Sequence, residues 1–382
     1  MYRHTPLERL LLVVVLGTIL TFSGAPVDAQ EERLRIAVFT PTTEGNTYWP
    51  QIHAILDAAA EDLGVELFID SFDVRDRYAK QDRGAEILRS TRGLDGAILS
   101  VAVGQTEPLL TVAERLGIPV MIQGPLFESE LPNLGLEPRR RFSSWIGVFS
   151  EDEYAKGLEL GRVLVEQALE GGMTKDDGSI AVVGIGGDPS WFGSALRAEG
   201  LLAAVRQRPQ ADLLQVAPTK WTESEGYDMA KRLLRRYPEA TVFWAASDQL
   251  AIGASRALRS SGRVIGEDVV VGGLDLSAAG LEHVRDGHMT ASCASLLTEY
   301  ARVLVYLTDY LRGMDFADLE GSAITFPVFT ATAGNANRYI ALYRAHRRID
   351  YRALSRTLNP RRDSYDFSPT QLRAVMVDSA VR

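Results

Sequence analysis

The feature that most restricts the fold of this chain is a regular alternation of short β-rich runs and longer stretches with helical spacing. One such stretch repeats apolar residues at helical intervals from Ile52 to Leu63 and stops at Gly64, a residue type that commonly ends helices. Strands that alternate with helices in this way are typical of a parallel sheet covered by helices on both faces. The strand-like runs of this first part are 34–39, 65–69, 96–101 and 118–123, and the helical stretches are 52–63, 78–90 and 106–116.

The same alternation begins again after a looser stretch with three prolines, from Gly124 to Ser144. No residue-level repeat accompanies the restart, so we interpret it as a second unit of the same architecture. The pattern therefore predicts two doubly wound α/β units in tandem. The strand-like runs of the second unit are 145–149, 179–185, 213–216, 241–245 and 269–272, and the helical stretches are 153–170, 193–206, 223–237 and 249–261. Beyond Leu274 the predicted elements are shorter, with helices at 278–286 and 296–311 and strand-like runs at 288–292 and 324–329.

The composition is that of a folded, acidic protein. The chain has 382 residues, of which 46% are apolar and 24% charged, and a chain of this size can bury a large core without disulfides or metals. Its 41 lysines and arginines against 50 aspartates and glutamates give a formal net charge of −9. Nucleic acids require a basic protein surface, so we predict no nucleic-acid partner.

Residue patterns for catalytic or cofactor chemistry are incomplete in this sequence. The single cysteine, Cys293, excludes an intrachain disulfide and paired-thiolate zinc sites. His283 and His288 are five residues apart and lie on different helix faces, so no metal site is predicted. The turn at 185–188 lacks a complete phosphate-binding motif, and no nucleophile motif occurs. The acidic run 151–153 stands at a helix start, where it favours the helix dipole. We predict no cofactor, no metal and no catalytic residue.

The amino-terminal segment has the three parts of a secretory signal peptide. Arg3 and Arg9 supply positive charge, an apolar run covers residues 10–20, and the small residues Val27 and Ala29 stand at the spacing of a cleavage site. We predict a signal peptide at residues 1–29 with cleavage after Ala29, and therefore an exported protein, located in the periplasm of a cell with two membranes. The alternative is an uncleaved anchor helix, for which the apolar run is short.

Three segments, in this order, resemble the type I periplasmic binding proteins, a family that includes ribose- and galactose-binding proteins and periplasmic quorum-signal receptors. The first is a strand followed by a polar loop with paired aromatic residues, IAVFTPTTEGNTYW at 36–49. The second is a strand, a polar Asp turn and a helix, FWAASDQLAIGASRALRSSG at 243–262. The third is a strand with an aspartate after it, VVVGGLDLSAAGLEHVRDGHMTAS at 269–292.

The resemblance implies two doubly wound parallel-sheet lobes, joined by a multi-strand hinge, with a ligand cleft between them. We place lobe 1 at 30–145 plus about 276–325 and lobe 2 at 146–275 plus about 326–345. An arginine-rich carboxyl-terminal tail is expected at 346–382. We interpret this tail as a solvated surface segment; the alternative is a docking element for an acidic partner or a lipid surface.

Residues that directly follow the strands are the candidate ligand contacts, because ligands of open parallel sheets lie beyond the carboxyl ends of the strands. Aromatic rings there can cover the C–H face of a polyol, and polar side chains can bond its hydroxyl groups. The alternative for the tryptophans is a place in the core, and Asp248 could simply cap the helix after it. The predicted contacts are Asn46, Tyr48, Trp49, Gln123, Trp191, Arg197, Trp221, Ser247, Asp248 and Asp275.

The sequence departs from the sugar binders of this family at three places. Gln123-Gly124 stands where they often carry an Asp-Arg pair, Ser247 stands where asparagine is common, and Ser295 replaces a common glutamine. These departures put a pentose ligand in doubt. A sugar-like or small polar, neutral molecule is the predicted ligand class.

The predicted function is capture of this ligand in the periplasm and its delivery to an ABC importer in the inner membrane. The alternative is a sensing subunit that signals to a membrane-bound sensor kinase or cyclase. The resemblance implies a monomer and no enzymatic activity. A repressor of the same core would need an amino-terminal DNA-binding domain, where this sequence has the predicted signal peptide.

Overall fold

The structure is a computed structural model that describes residues 33–42, 47–73, 79–101, 104–124, 126, 128–189 and 191–377. The predicted signal peptide with its cleavage site at Ala29, and the predicted ligand contact Asn46, lie outside these residues. None of the described helices combines the length and the apolar character that a membrane crossing needs.

Strands and helices alternate as the sequence predicts, with ends that differ by a few residues. The strands are β1 (Leu34–Thr42), β2 (Val65–Asp73), β3 (Gly96–Ser100), β4 (Val120–Gln123), β5 (Trp145–Glu151), β6 (Ile180–Gly186), β7 (Ala211–Pro218), β8 (Val242–Ala245), β9 (Val270–Leu274), β10 (Ala291–Ala294), β11 (Ala323–Phe326) and β12 (Phe329–Thr332). The helices are α1 (Tyr48–Leu63), α2 (Ala79–Ser90), α3 (Thr106–Leu116), α4 (Leu131–Leu134), α5 (Glu153–Glu170), α6 (Phe192–Arg206), α7 (Glu223–Arg236), α8 (Asp248–Ser260), α9 (Ala278–Arg285), α10 (Glu299–Leu311), α11 (Ala317–Glu320), α12 (Ala336–Arg344) and α13 (Pro369–Ala374).

The strands form two separate sheets. The first has the order β11-β5-β4-β3-β1-β2 and is parallel throughout. The second has the order β12-β10-β9-β8-β6-β7 and is parallel except for β12, which runs antiparallel to β10. This confirms the predicted fold class of two doubly wound α/β lobes. We call the part built on the first sheet lobe 1 and the part built on the second sheet lobe 2.

The chain passes between the lobes at three places, and only the last of them lies close to a predicted boundary, the one at about residue 325. It crosses at Asp152, between β5 and α5, at residues 295–298, between β10 and α10, and at residues 327–328, between β11 and β12. The strand β5, predicted to open lobe 2, lies in lobe 1, and β10, predicted for lobe 1, lies in lobe 2. A periodic pattern marks each strand but not its neighbour in the sheet, so it cannot locate a crossing.

The last predicted strand-like run, 324–329, is two strands in different sheets. Pro327 divides them, because proline has no N–H group for a sheet ladder and is kept out of strand interiors. The division makes this run the third crossing, close to the predicted boundary at about residue 325.

Each sheet is covered by helices on both faces, as its strand residues require. In β1, Ile36 and Val38 belong to the core under α1 and α10, whereas Ala37 and Phe39 belong to the core under α2 and α3. Successive side chains point to opposite faces of a sheet, so a strand buried on both faces reads as a continuous apolar run. In lobe 2, α5 and α6 pack together, and α7 and α8 do the same.

The helix pair α5–α6 depends on small residues where the two backbones meet. A Cβ atom on Gly157 would lie 2.1 Å from the carbonyl oxygen of Arg197, and one on Gly200 would lie 2.2 Å from the carbonyl oxygen of Tyr154. Only glycine allows so close an approach. The start of α6, with Arg197, is thereby held directly against α5.

The arginine-rich tail is folded onto lobe 1, so its interpretation as a solvated segment is wrong for the described residues 346–377. Tyr351, Leu354 and Leu372 are fully buried in the core that contains α1 and α10. The buried carboxylate of Asp309, on α10, accepts hydrogen bonds from the backbone N–H of Arg356 at 2.8 Å and from other groups of the tail. The exposed arginines hide an apolar inner face, which composition alone does not reveal.

Candidate ligand-binding site

The carboxyl ends of the parallel strands in the two lobes place a set of polar and aromatic side chains together. Lobe 1 contributes Tyr48 after β1, Gln123 at the end of β4 and Glu151 at the end of β5. Lobe 2 contributes the start of α6 after β6, Trp221 after β7 and Asp275 after β9. This is the edge at which open parallel sheets bind ligands.

Arg197 is the centre of the lobe 2 side. Its Nε donates to Glu153 Oε2 at 2.6 Å, and one terminal nitrogen donates to the Ala246 carbonyl oxygen at 2.5 Å and faces Asp275 Oδ1 at 3.4 Å. The residue is only 5% exposed. The guanidinium plane is therefore fixed by groups from α5, β8 and β9, with Asp275 as its most loosely held partner.

Two tryptophans lie beside this guanidinium. The Arg197 carbon Cζ lies 4.9 Å from the ring centroid of Trp191 and 5.7 Å from that of Trp221, and the two rings meet edge to face at 5.5 Å. A Cβ on Gly187 would fall 1.9 Å from the Trp221 ring, so the glycine leaves the space that this ring occupies. Trp191 is 37% exposed, which leaves part of its indole surface open for a ligand.

The lobe 1 side is a buried hydrogen-bond network around one carboxylate. Glu151 Oε1 accepts from the Tyr48 hydroxyl at 2.7 Å and from the Tyr300 hydroxyl at 3.2 Å. Gln123 Nε2 donates to the same Tyr300 oxygen at 2.8 Å, and its Oε1 accepts from Ser100. Trp49 packs edge to face on both tyrosines, at centroid distances of 5.4 and 5.7 Å.

Lys156 joins the two sides. It lies in the first turn of α5, is fully buried, and its Nζ donates to Glu151 Oε2 and lies 2.9 Å from Glu153 Oε2. Because Glu153 also pairs with Arg197, the acidic and basic groups form one continuous chain. We call the chain Glu151–Lys156–Glu153–Arg197–Asp275 the charge ladder.

Burial and charge move the pKa values of the ladder in different directions. Burial raises the pKa of Asp275 to about 7, against the opposing pull of the Arg197 guanidinium. Burial would also raise the pKa of Glu151, but the Lys156 ammonium and its hydrogen bond outweigh this and hold that pKa below its usual value. Glu151 is thus a fixed anion at neutral pH, whereas Asp275 is close to its titration point.

Two of the predicted contacts have unusual backbone conformations. Trp221 has φ 75° and Asp275 has φ 120°, and Leu276 after it has φ 47°. Non-glycine residues rarely adopt positive φ, and such residues concentrate at functional sites, where the surrounding structure holds them in place. The conformation turns the Asp275 carboxylate towards Arg197.

Two predicted contacts, Ser247 and Asp248, form hydrogen bonds within lobe 2. The Ser247 hydroxyl caps α8 by accepting from the Leu250 backbone N–H at 3.2 Å. Asp248 is fully buried, and its carboxylate accepts from the Ser277 N–H and hydroxyl, both at 2.8 Å, and from the Ser292 hydroxyl at 2.6 Å. Asp248 therefore ties α8 to the segment after β9.

Sequence reasoning missed Tyr300, Lys156 and the two glutamates of the ladder. The sequence predicted that the run 151–153 only favours the helix dipole. Asp152 caps α5, its side chain accepting from the Ala155 N–H at 2.8 Å, whereas Glu151 and Glu153 pair with Lys156. A carboxylate two residues after the predicted strand 145–149, with a lysine in the first turn of the predicted helix 153–170, was the available signal. Tyr300 had no local signal, because its contacts come from distant parts of the chain.

The histidine pair does not form a metal site. His283 and His288 meet edge to face at 5.7 Å, and His283 Nδ1 is bonded to the Ala279 carbonyl oxygen at 2.9 Å. Among the described residues, no group of three or more His, Cys, Asp or Glu side chains could hold a metal ion.

Comparison with known proteins identifies the family of this chain. The sequence profile of the family described as "Periplasmic binding protein domain" matches residues 36–313, well over half of the chain. The chain belongs to the periplasmic binding protein family. This confirms the resemblance drawn from the three sequence segments, and the family is one of binding proteins rather than enzymes.

Relatives of this periplasmic binding protein carry sugar names. The ribose import binding protein RbsB of Salmonella typhimurium is 26% identical over 169 residues, which is 44% of this chain and 53% of that protein, so the chain matches about half of its length. The D-apiose import binding protein of Actinobacillus succinogenes is 25% identical over 290 residues, which is 72% of this chain and 82% of that protein.

Solved structures agree with the two-lobed fold. A periplasmic sugar-binding protein from Pseudomonas fluorescens superposes with a TM-score of 0.76 at 26% identity, covering 88% of this chain and 98% of the other. A solute-binding protein of an ABC transporter from Actinobacillus succinogenes, solved with bound D-allose, has a TM-score of 0.68 at 18% identity, covering 80% of this chain and all of the other.

Proposed function

We propose that this periplasmic binding protein captures a sugar-like ligand between its lobes and delivers it to an ABC importer in the inner membrane. The observation that carries the proposal is the group formed by Arg197, Asp275, Trp191 and Trp221 at the strand ends of lobe 2. A carboxylate and a guanidinium bond hydroxyl groups, and an indole covers the C–H face of a ring. A charged hydrogen bond of this kind contributes about 1.5–3 kcal/mol.

The proposed contacts are the predicted residues that belong to this group or to the hydrogen-bond network of lobe 1. On lobe 1 they are Tyr48, Trp49 and Gln123, and on lobe 2 they are Trp191, Arg197, Trp221 and Asp275. Asn46 stays a prediction. Ser247 and Asp248 also stay predictions; both are buried in lobe 2, where the Ser247 hydroxyl caps α8 and the Asp248 carboxylate accepts from Ser277 and Ser292.

Import is favoured over sensing by the names of the relatives, which are import binding proteins. A sensing subunit for a membrane-bound kinase or cyclase is the second candidate. It is supported by the departures from sugar binders at Gln123-Gly124 and Ser247. The neighbouring genes separate the two: a permease and an ATPase gene would support import, and a kinase or cyclase gene would support sensing. In either case we propose an exported monomer with the signal peptide at residues 1–29.

The test is thermal unfolding in the presence of D-ribose, D-apiose, D-allose and myo-inositol. A ligand that binds only the folded state raises Tm by mass action, with a stabilisation of about 2.7 kcal/mol at one hundred times Kd. At least one compound should raise Tm, and mass spectrometry of the freshly purified protein should find a ligand of the same class. If none of the four raises Tm and no such ligand co-purifies, the proposal is wrong.

Variants then assign the site. Asp275→Ala and Trp221→Ala should each abolish the Tm shift, since each removes one of the two recognition elements. Asp228→Ala is the matched control, because this aspartate lies exposed on α7, away from the cleft, and the shift should persist. A shift that survives in both site variants would contradict the assignment.

A further inference from the structure

The charge ladder passes directly through the first crossing between the lobes. Glu151 is the last residue of β5 in lobe 1, and Glu153 is the first residue of α5 in lobe 2, with only Asp152 between them. Lys156 contacts both glutamates from the first turn of α5. One ammonium group therefore neutralises carboxylates on either side of the point at which the chain changes lobes.

All the groups involved are removed from water. Lys156 is fully buried, and the side chains of Glu151 and Glu153 are 9% and 5% exposed. A buried carboxylate without a partner is strongly unfavourable, and it becomes acceptable only if water reaches it or if it takes up a proton. Without Lys156, the protein could hydrate Glu151 by turning the backbone at the crossing, which separates the lobes.

The partners of Glu151 in lobe 1 make its position rigid. Tyr48 lies at the start of α1, and Tyr300 lies in α10, just after the second crossing, and both hydroxyls donate to Glu151. On the other side, Glu153 holds Arg197 at 2.6 Å. Lys156 thus connects a fixed carboxylate of lobe 1 to the residue that we propose as the main ligand contact of lobe 2.

We propose that Lys156 is a positioning residue that sets the angle between the lobes and thereby presents Arg197 to the cleft. Its role is not that of a ligand contact, since the side chain is fully buried and its ammonium is held by the two glutamates. The inference rests on the proposed function only in that lobe closure is taken to accompany ligand binding, and its test requires no ligand.

The experiment measures the distance between spin labels on the two lobes in the ligand-free protein. Leu116→Cys in lobe 1 and Val264→Cys in lobe 2 provide exposed attachment points, 48% and 47% exposed in the native residues. The natural Cys293 is buried and does not compete for the label. In this background Lys156→Met should shift the distance distribution to a second, separated population, whereas Lys175→Met, at an outer salt bridge of lobe 2, should leave it unchanged.

The rescue variant distinguishes charge from packing. Lys156→Met with Glu151→Gln removes the uncompensated carboxylate without refilling the lysine's volume, so a positioning role through charge predicts a return to the native distribution. Glu151→Gln alone, which leaves Lys156 with one partner, should broaden the distance distribution.

An unchanged distance distribution in folded Lys156→Met, or no return to the native distribution in the double variant, would overturn the proposal. If Lys156→Met fails to fold, the single Glu151→Gln variant decides, and an unchanged distribution there would overturn it. These outcomes do not depend on whether any sugar raises Tm.

Discussion

Asp275, a proposed ligand contact, is held in the fold in a way that does not favour its ionised form. Its carboxylate is buried at a positive φ, 3.4 Å from the Arg197 guanidinium, and burial raises its pKa to about 7. In the unfolded chain an aspartate has a pKa of about 3.9. The native state therefore favours the protonated form, and ionising Asp275 above neutral pH costs stability. Such an unfavourable carboxylate is expected where a ligand, rather than the protein, supplies the hydrogen-bond donors.

The pH dependence of stability tests this account of Asp275. Between pH 4 and pH 7 the folded state holds a proton that the unfolded state has lost, so the contribution of this group falls as pH rises through that window. Asp275→Asn cannot ionise. The free energy of unfolding of the variant, relative to that of the native chain, should therefore increase from pH 5 to pH 8. Urea unfolding at both pH values measures the two differences.

The sign of that difference is the informative result. Asp286→Asn is the control, because Asp286 is exposed and its pKa is lowered by its hydrogen bonds to Arg285, so its contribution changes only at lower pH. If the free energies of unfolding of the native chain and Asp275→Asn differ by the same amount at pH 5 and pH 8, Asp275 is already ionised well below pH 5 and the account is wrong.

At the scale of elements, the helix pair α5–α6 has a structural role and a role in positioning the site. Gly157 lets the carbonyl oxygen of Arg197 approach α5 more closely than any side chain would allow. The same contact holds the first turns of α6, and with them the guanidinium that pairs with Glu153. A change in helix packing at this point should therefore affect stability and binding together.

Gly157→Ala should displace α6, because the added Cβ would lie 2.1 Å from the backbone carbonyl oxygen of Arg197. A backbone atom, unlike the end of a flexible side chain, cannot move aside without moving the helix. Overpacking of this kind costs typically about 1–3 kcal/mol. We expect a loss of that size in urea unfolding, together with a smaller Tm shift from whichever sugar stabilises the native chain.

Gly334→Ala provides the comparison for the substitution itself. The nearest atom to its added Cβ is the Thr332 hydroxyl oxygen at 3.9 Å, which is ordinary contact, so stability and binding should both stay close to native values. Equal losses in the two variants would contradict a specific role for the α5–α6 contact.

At the scale of the whole molecule, the sequence was most informative where structure is local. Helical spacing and apolar runs predicted α3 and α5 with the observed ends, because a helix or strand imposes its own period on the residues. The same reasoning brought Asp275 and Trp221 to the strand ends. It could not pair β5 with β11, or place Tyr300 beside Glu151, because those contacts join residues 149 or more positions apart and leave no periodic trace.

At this scale, the prediction that failed most was the one for the carboxyl-terminal segment. It lies beyond the family match, which ends at residue 313, and its many arginines suggested a solvated tail. In the structure Tyr365 and Phe367 pack on Tyr306 of α10, with ring centroids 4.6 and 6.3 Å away. The buried apolar residues of this segment are irregularly spaced and match neither the helical nor the strand period, so no pattern in the sequence indicated its inner face.

Asp309 is the residue on which the folding of this segment onto lobe 1 depends. Its buried carboxylate accepts from the Ser355 hydroxyl at 2.5 Å, the Arg356 N–H at 2.8 Å and the Tyr365 hydroxyl at 2.8 Å. Asp309→Ala leaves these donors without an acceptor and should cost about 2–4 kcal/mol, since each unsatisfied buried group costs about 1–3 kcal/mol. The segment should open locally before the rest of lobe 1 unfolds.

Limited trypsin digestion measures that opening, because the segment contains arginines at which trypsin cuts. In Asp309→Ala, cleavage at Arg361 and Arg362 should become faster than in the native chain, while lobe 2 stays intact by mass spectrometry. Asp318→Ala, which changes an exposed aspartate on α11, should leave the cleavage rate unchanged.

If the native chain is cut at Arg361 as fast as Asp309→Ala, the segment is not held by Asp309. Slow cleavage restored by Asp309→Glu, but not by Asp309→Asn, would show that the carboxylate charge, rather than the side-chain volume, attaches the segment to α10.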